Sequence, residues 1–198
     1  MMNFGMVPQS IELQLPAWLG NFIADRHQPV ATVEARMRIA IELASLNIEH
    51  RTGGPFGAAV FNMESHELVA AGVNLVVPSR CSMAHAEMIA ISSAQQQLET
   101  FDLGAAGLPG FELVTSSEPC AMCFGALPWS GIRHLVCGAK AEDAGAVGFD
   151  EGPIHPHWMD ELTNRGITVD TEVCRNEAKA VLNLYAEQEG VIYNGRQG

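Results

Sequence analysis

The chain has 198 residues, 47% hydrophobic and 17% charged, and its 11 Lys and Arg against 23 Asp and Glu give a formal net charge of −12. That much apolar content over this length builds one globular domain and excludes a largely disordered chain. The acidic balance leaves little basic surface to neutralise phosphates, which argues against a nucleic-acid partner and for a small, weakly charged ligand.

Residues 1–30 show no clear periodicity and read as an extended N-terminal arm, lying on the surface or on a partner subunit. Met1 to Gly20 carries no positive stretch and no apolar run of signal length, with Pro8 and Pro16 interrupting it, so the expected location is cytoplasmic. No segment approaches the roughly 20 apolar residues of a membrane-spanning helix, and no membrane partner is expected. The main domain is read over 31–198. From Thr32 the pattern is helical, with Met37, Ile41, Ala44 and Ile48 on one stripe and Glu34, Arg38, Glu42, Ser45 and Glu49 on the other. Gly53-Gly54-Pro55 ends it. Two short runs, Phe56 to Phe61 and Leu68 to Val73, read as strands joined by a hairpin, and their Ala and Gly content implies that something packs closely on them.

A helix is expected from about His85 to Leu98, a strand at Leu113 to Thr115, a helix from Cys120 to Trp129 and a strand at Ile132 to Cys137. A strand near Ile167 to Val169 and a helix from about Cys174 to Gln188 follow, the latter with an apolar face of Ala178, Val181, Leu182 and Tyr185. Strands alternating with helices predict a three-layer α/β/α sandwich. Five cysteines, an odd number, do not suggest a disulfide framework.

The chemistry concentrates in His85-Ala86-Glu87 and Glu118-Pro119-Cys120-Ala121-Met122-Cys123. Each segment sits where a helix begins. Residues three apart on a helix, such as Cys120 and Cys123, share a side, and a helix N-terminus favours the thiolates that zinc requires. With His85 as third ligand, a tetrahedral zinc keeps one position for water. Glu87 is the candidate proton carrier beside it, but in mid-helix residues two apart do not share a face, so His85 and Glu87 converge only in an opened first turn.

Other readings compete. Cys-x-x-Cys at a helix start also suits a thioredoxin-like redox pair, and Cys81 would complete a closed Cys3His structural site of a non-catalytic zinc module. Cys137 and Cys174 lie in apolar runs and read as small core residues, and His155 and His157 as loop residues.

His85-Ala86-Glu87 with Pro119-Cys120-Ala121-Met122-Cys123 resembles the zinc signature of the cytidine deaminase-like superfamily, whose mechanism is a known one for nucleobase deaminases. The resemblance implies a central mixed five-stranded sheet between helix layers, one Zn2+ per subunit, and Glu87 as proton shuttle. Within that superfamily the bacterial guanine deaminase branch is the nearer match. Asn74 in Gly72-Val73-Asn74-Leu75-Val76 resembles the asparagine that members use against the base, Phe56 resembles a stacking wall, and Gly148-Phe149-Asp150-Glu151-Gly152 resembles the Gly-Phe-Asp-Glu loop of guanine deaminases. The tail from Tyr185 to Gly198, with Tyr193, resembles a C-terminal segment that caps an active site, in some members that of a partner subunit.

What this implies is a nucleobase deaminase acting on guanine; the uncommitted N-terminal arm and C-terminal tail point to a homodimer. The base stacks on Phe56 and Phe149, and Trp129 is a third aromatic that either joins them or packs in the core. Asn74 fixes the far side of the base. Asp150 or Glu151 accepts the N–H donors of guanine, and Glu151 or Asp150 delivers a second proton. Backbone N–H groups at the Cys120 helix start are candidates for stabilising charge near the metal. Cytosine, adenosine in transfer RNA, and triazines with guanine's donor pattern are the alternative substrates.

Overall fold

The computed structural model describes residues 10–195, so the first nine residues of the arm and the last three of the tail lie outside the described residues. In chain order the elements are α1 (Ala17–Ala24), α2 (Val33–Glu49), β1 (Gly57–Asn62), β2 (Leu68–Val73), α3 (Val76–Ser79), α4 (Ala86–Gln97), β3 (Phe111–Ser117), α5 (Ala121–Ser130), β4 (His134–Ala139), α6 (Ala141–Ala146), α7 (Trp158–Thr163), β5 (Thr168–Asp170) and α8 (Arg175–Glu187). The strands form one sheet in the order β2-β1-β3-β4-β5. β1 is antiparallel to both β2 and β3, whereas β3, β4 and β5 are parallel, which makes the sheet mixed as expected.

Strand alternation sorts the two layers of helices. Ala59, Phe61, Val114 and Val136 point to a core closed by α1, α2 and α8, while Ala58, Val60, Leu113 and Leu135 point to a second core closed by α4, α5 and α7. The α2 stripe of Met37, Ile41, Ala44 and Ile48 is buried, as its spacing requires. The helix begins at Thr32, whose hydroxyl accepts the Ala35 N–H at 3.2 Å. Gly72 and Gly57 give the Ala/Gly-rich strands their close neighbours: α4 lies directly on Gly72 and α2 directly on Gly57, with no room for a side chain at either.

The expected extended arm contains a helix instead. α1 sinks Leu19 and Phe22 into the first core, and at two turns it is too short to announce itself by periodicity. Trp129 is 84% exposed on α5, so it neither packs in the core nor faces a ligand. Cys137 is a core residue, but Cys174 is only half-buried, at the start of α8 in a left-handed conformation with φ 53°. At the end of the sheet away from the ligand residues, Glu112 and Arg36 form a buried ion pair, and Glu112 also meets His134 at 3.1 Å. Among the described residues no helix is long and apolar enough to cross a membrane.

Candidate active site

Strand direction places the site. Because β1 runs opposite to β2 and β3, its start lies at the same end of the sheet as their ends. Phe56 before β1, Asn74 after β2 and Glu118 after β3 therefore face one another, and the chain leaving β4 returns to this end through α6 and the loop at 148–152. Ligand sites in such sheets form beyond the carboxyl ends of parallel strands.

His85 is the residue at which the chain turns into α4. Its backbone is extended, with φ −74° and ψ 155°, and Glu87 follows as the second helical residue. This opened first turn lets the two side chains converge despite being two apart. Cys120 is likewise extended at the start of α5, with φ −64° and ψ 170°, and Cys123 lies one turn on. His85 Nδ1 lies 3.4 Å from Cys120 Sγ and 3.6 Å from Cys123 Sγ. Tetrahedral zinc, with bonds of about 2.3 Å to sulfur and about 2.0–2.1 Å to nitrogen, sets nitrogen and sulfur about 3.6 Å apart. The three side chains therefore fit a zinc ion in donor type and spacing.

Cys81 does not belong to the cluster. Among the described residues His85, Cys120 and Cys123 are the group whose ligand atoms converge, all within 4.8 Å of one another, and Cys81 packs against the first core instead. The closed four-ligand arrangement thus lacks its fourth member.

The electrostatics suit metal binding. Cys120 is drawn down to about 4, first by a hydrogen bond from the Cys123 thiol and then by His85, and the Cys123 thiol is raised in return. Burial pulls His85 down, but its hydrogen bond to Cys120 and the charge of Glu87 outweigh this and raise it. Glu87 is only 7% exposed, and burial with the nearby Cys120 charge lifts its carboxyl above the usual range. Glu151 is pushed up to about 8, first by burial and then by the charges of Cys120 and Glu87.

His85, Glu87, Cys120 and Glu151 line a cavity of about 190 Å³ together with Phe56, Asn74, Phe149, Asp150 and Tyr193, so of the residues expected to contact substrate only Trp129 stays away from it. Pockets for drug-sized ligands run from about 300 to 1,000 Å³. This one is scaled to a single small ring system. Phe56 and Phe149 meet edge to face, 4.9 Å apart at 73°. A flat base can therefore lie parallel to one ring and edge-on to the other, but not between them as a parallel pair. Tyr193, from the tail of the same chain, packs on Phe149 at 5.7 Å, and Asn74 Nδ2 donates to its hydroxyl. Asn74 Oδ1 accepts the Val76 N–H at 3.3 Å, which leaves one amide hydrogen of Asn74 for a ligand.

Four features escape sequence reading. Ser82, Glu118 and Asn194 line the cavity, and fully buried Asn47 donates to the carbonyls of Gly54 and Asn74 at 2.8 and 2.9 Å, holding Asn74 in place from behind. Only Glu118 had a cue, its place in the cysteine motif; its carboxylate accepts the Ala141 N–H at 2.9 Å and so ties α6 to the metal segment. Of the helix-start amides expected to stabilise charge near the metal, one is used by the loop and one faces a ligand sulfur. The Ala121 N–H donates to the Glu151 carbonyl at 2.9 Å, and the Cys123 N–H faces the Cys120 sulfur.

The cytidine and deoxycytidylate deaminase zinc-binding region matches residues 31–139, a stretch that contains all three ligands and Glu87. The chain belongs to this family. The deaminase is 36% identical over 122 residues to the guanine deaminase of Bacillus subtilis (strain 168), covering 62% of this chain and 74% of that protein. It also resembles the solved structure of a guanine deaminase from Nitrosomonas europaea, with 50% identity, TM-score 0.87, and coverage of 92% of this chain and 100% of that one. A further solved structure, in complex with 2,6-diaminopurine, is 52% identical with TM-score 0.88 over 94% of this chain and 98% of that one.

Proposed function

We infer that this deaminase converts guanine and water into xanthine and ammonia, using one zinc ion per subunit. The carrying observation is that the buried Glu87 carboxyl and the half-buried Glu151 carboxyl share one small cavity with His85 and Cys120 of the ligand cluster. The guanine deaminase relatives and the 2,6-diaminopurine complex point to the same class of substrate.

His85, Cys120 and Cys123 would hold the zinc, which when bound would lower the pKa of a water from about 15.7 towards about 7 and so supply a nucleophile at neutral pH. The chain does the rest. Phe149 and Phe56 offer the base one face and one edge, and the remaining Asn74 amide hydrogen fixes its far side. Glu87 takes the water proton and passes it to a ring nitrogen. Glu151 carries the second proton to the departing amino group, a role that suits a carboxyl raised above the usual range first by burial. Asp150 is the weaker choice for this role, because one of its oxygens already accepts the Gly152 N–H at 2.9 Å and the residue is exposed.

The test is ammonia release from a panel of guanine, cytosine, adenine, their nucleosides and an aminotriazine. The reading requires guanine to be turned over fastest; cytosine or an adenine nucleoside in that place refutes it. The acidic balance supports a free base over a nucleic acid. Five unpaired cysteines suit the cytoplasm, and the assembly belonging to this reading is a homodimer.

A further inference from the structure

Resting on the role given to Glu151, we propose that Asn194 is a positioning residue for the reaction: it fixes the loop at 148–152 against the C-terminal tail and thereby aims Glu151. Its side chain engages the loop backbone twice. Oδ1 accepts the Asp150 N–H at 3.0 Å and Nδ2 donates to the Gly148 carbonyl at 2.9 Å. A side-chain amide used this way acts as a short piece of neighbouring strand, satisfying a donor and an acceptor of the same loop.

The loop needs such an anchor. It is bounded by Gly148 at φ 109° and Gly152 at φ 72°, backbone positions that glycine adopts without strain and about which the segment can swing. Inside it, the Asp150 carboxylate closes only the local turn to Gly152. The Phe149 half of the loop is tied by its N–H on the Ala144 carbonyl at 3.1 Å, whereas the Glu151 half is held from outside at two points, the Glu151 carbonyl on the Ala121 N–H at 2.9 Å and the Asp150 N–H on Asn194. Losing Asn194 leaves one. Asn194 itself lines the cavity, but Tyr193 keeps its contacts with Asn74 and Phe149, and Phe149 keeps its own N–H bond to the Ala144 carbonyl at 3.1 Å and its packing on Phe56, so the stacking wall remains when Asn194 is altered. The effect of Asn194 therefore falls on proton delivery rather than on base binding.

The experiment compares the zinc-loaded full chain with Asn194→Ala, Asn194→Asp, Glu151→Gln and the Asn194→Ala/Glu151→Gln double variant, reading kcat, KM, zinc content and melting temperature. A misplacement of about 1 Å costs about 100-fold. Asn194→Ala is thus expected to lose about 10- to 100-fold in kcat, with KM within about threefold and zinc retained. Asn194→Asp, which keeps only the bond to the Asp150 N–H, is expected to fall between wild type and Asn194→Ala. The double variant is expected to be no slower than Glu151→Gln alone, because residues acting through one group are not additive. Wild-type kcat in Asn194→Ala, an effect on KM alone, or a double variant slowed by the product of the two single effects overturns the inference while leaving Glu151 in its role. Wild-type turnover in Glu151→Gln removes that role and the inference with it.

Discussion

Gly72→Ala tests whether the seating of α4 on the sheet sets the catalytic geometry. A methyl group at position 72 would stand 2.2 Å from the Ala86 carbonyl oxygen and 2.5 Å from the Ala90 nitrogen, where ordinary contact begins at 3.4 Å. Both obstacles are backbone atoms, so no side-chain rotation relieves them, and α4 must retreat by about 1.2 Å, the shortfall at the first contact. Overpacking of this kind costs about 1–3 kcal/mol, and at about 2–4 °C per kcal/mol for a chain of this size the melting temperature falls by about 2–12 °C. Ala86 lies between His85 and Glu87, so the displacement passes directly to the proposed ligand and to the proposed proton carrier. A shift of that size is worth about 100-fold in kcat/KM. Gly57→Ala is the matched comparison, since its methyl meets α2 on the opposite face, 2.4 Å from the Ala40 carbonyl oxygen, and what activity it loses is expected in KM, through Phe56 beside it and Asn47 on α2. Comparable melting losses are expected in differential scanning calorimetry, with the larger activity loss in Gly72→Ala. The reasoning is refuted if Gly72→Ala melts and turns over like wild type, or if Gly57→Ala loses as much activity.

Asp143, 2% exposed, accepts from Arg175 at 2.7 Å and Lys179 at 2.8 Å, and chiefly the Arg175 bond holds its carboxyl well below the usual range. Its contribution is therefore complete above the unfolded value of about 3.9 and disappears as pH falls below it. Asp143→Asn should lose about 1–3 kcal/mol at pH 7 in urea unfolding, with a deficit that shrinks below about pH 4; an equal deficit at every pH contradicts this. Cys120→Ala should abolish stoichiometric zinc by elemental analysis and make melting insensitive to chelator, whereas Cys81→Ala should keep its zinc; loss of zinc on the latter change would restore the closed structural site.

The metal centre was legible because its residues are local motifs whose spacing meets simple geometry. Cys120 and Cys123 need only one helical turn, and the condition on His85 and Glu87 was visible in advance, to be met by the extended backbone at His85. The close packing on both Ala/Gly-rich strands was legible for the same reason. Features that depend on distant chain were not. Asn47 looks like one polar residue on an amphipathic helix until Gly54 and Asn74 are brought to it. Asn194 carries no signal until the tail meets the loop at 148–152. Trp129 misleads because hydrophobicity implies burial only in one direction.

The most direct test of the account is turnover of guanine by zinc-loaded Glu87→Ala, with metal content measured on the same sample. The account predicts one zinc per chain and xanthine formation reduced by about 100- to 10,000-fold, the range for losing a positioned proton carrier. A near-normal rate with zinc in place would contradict it.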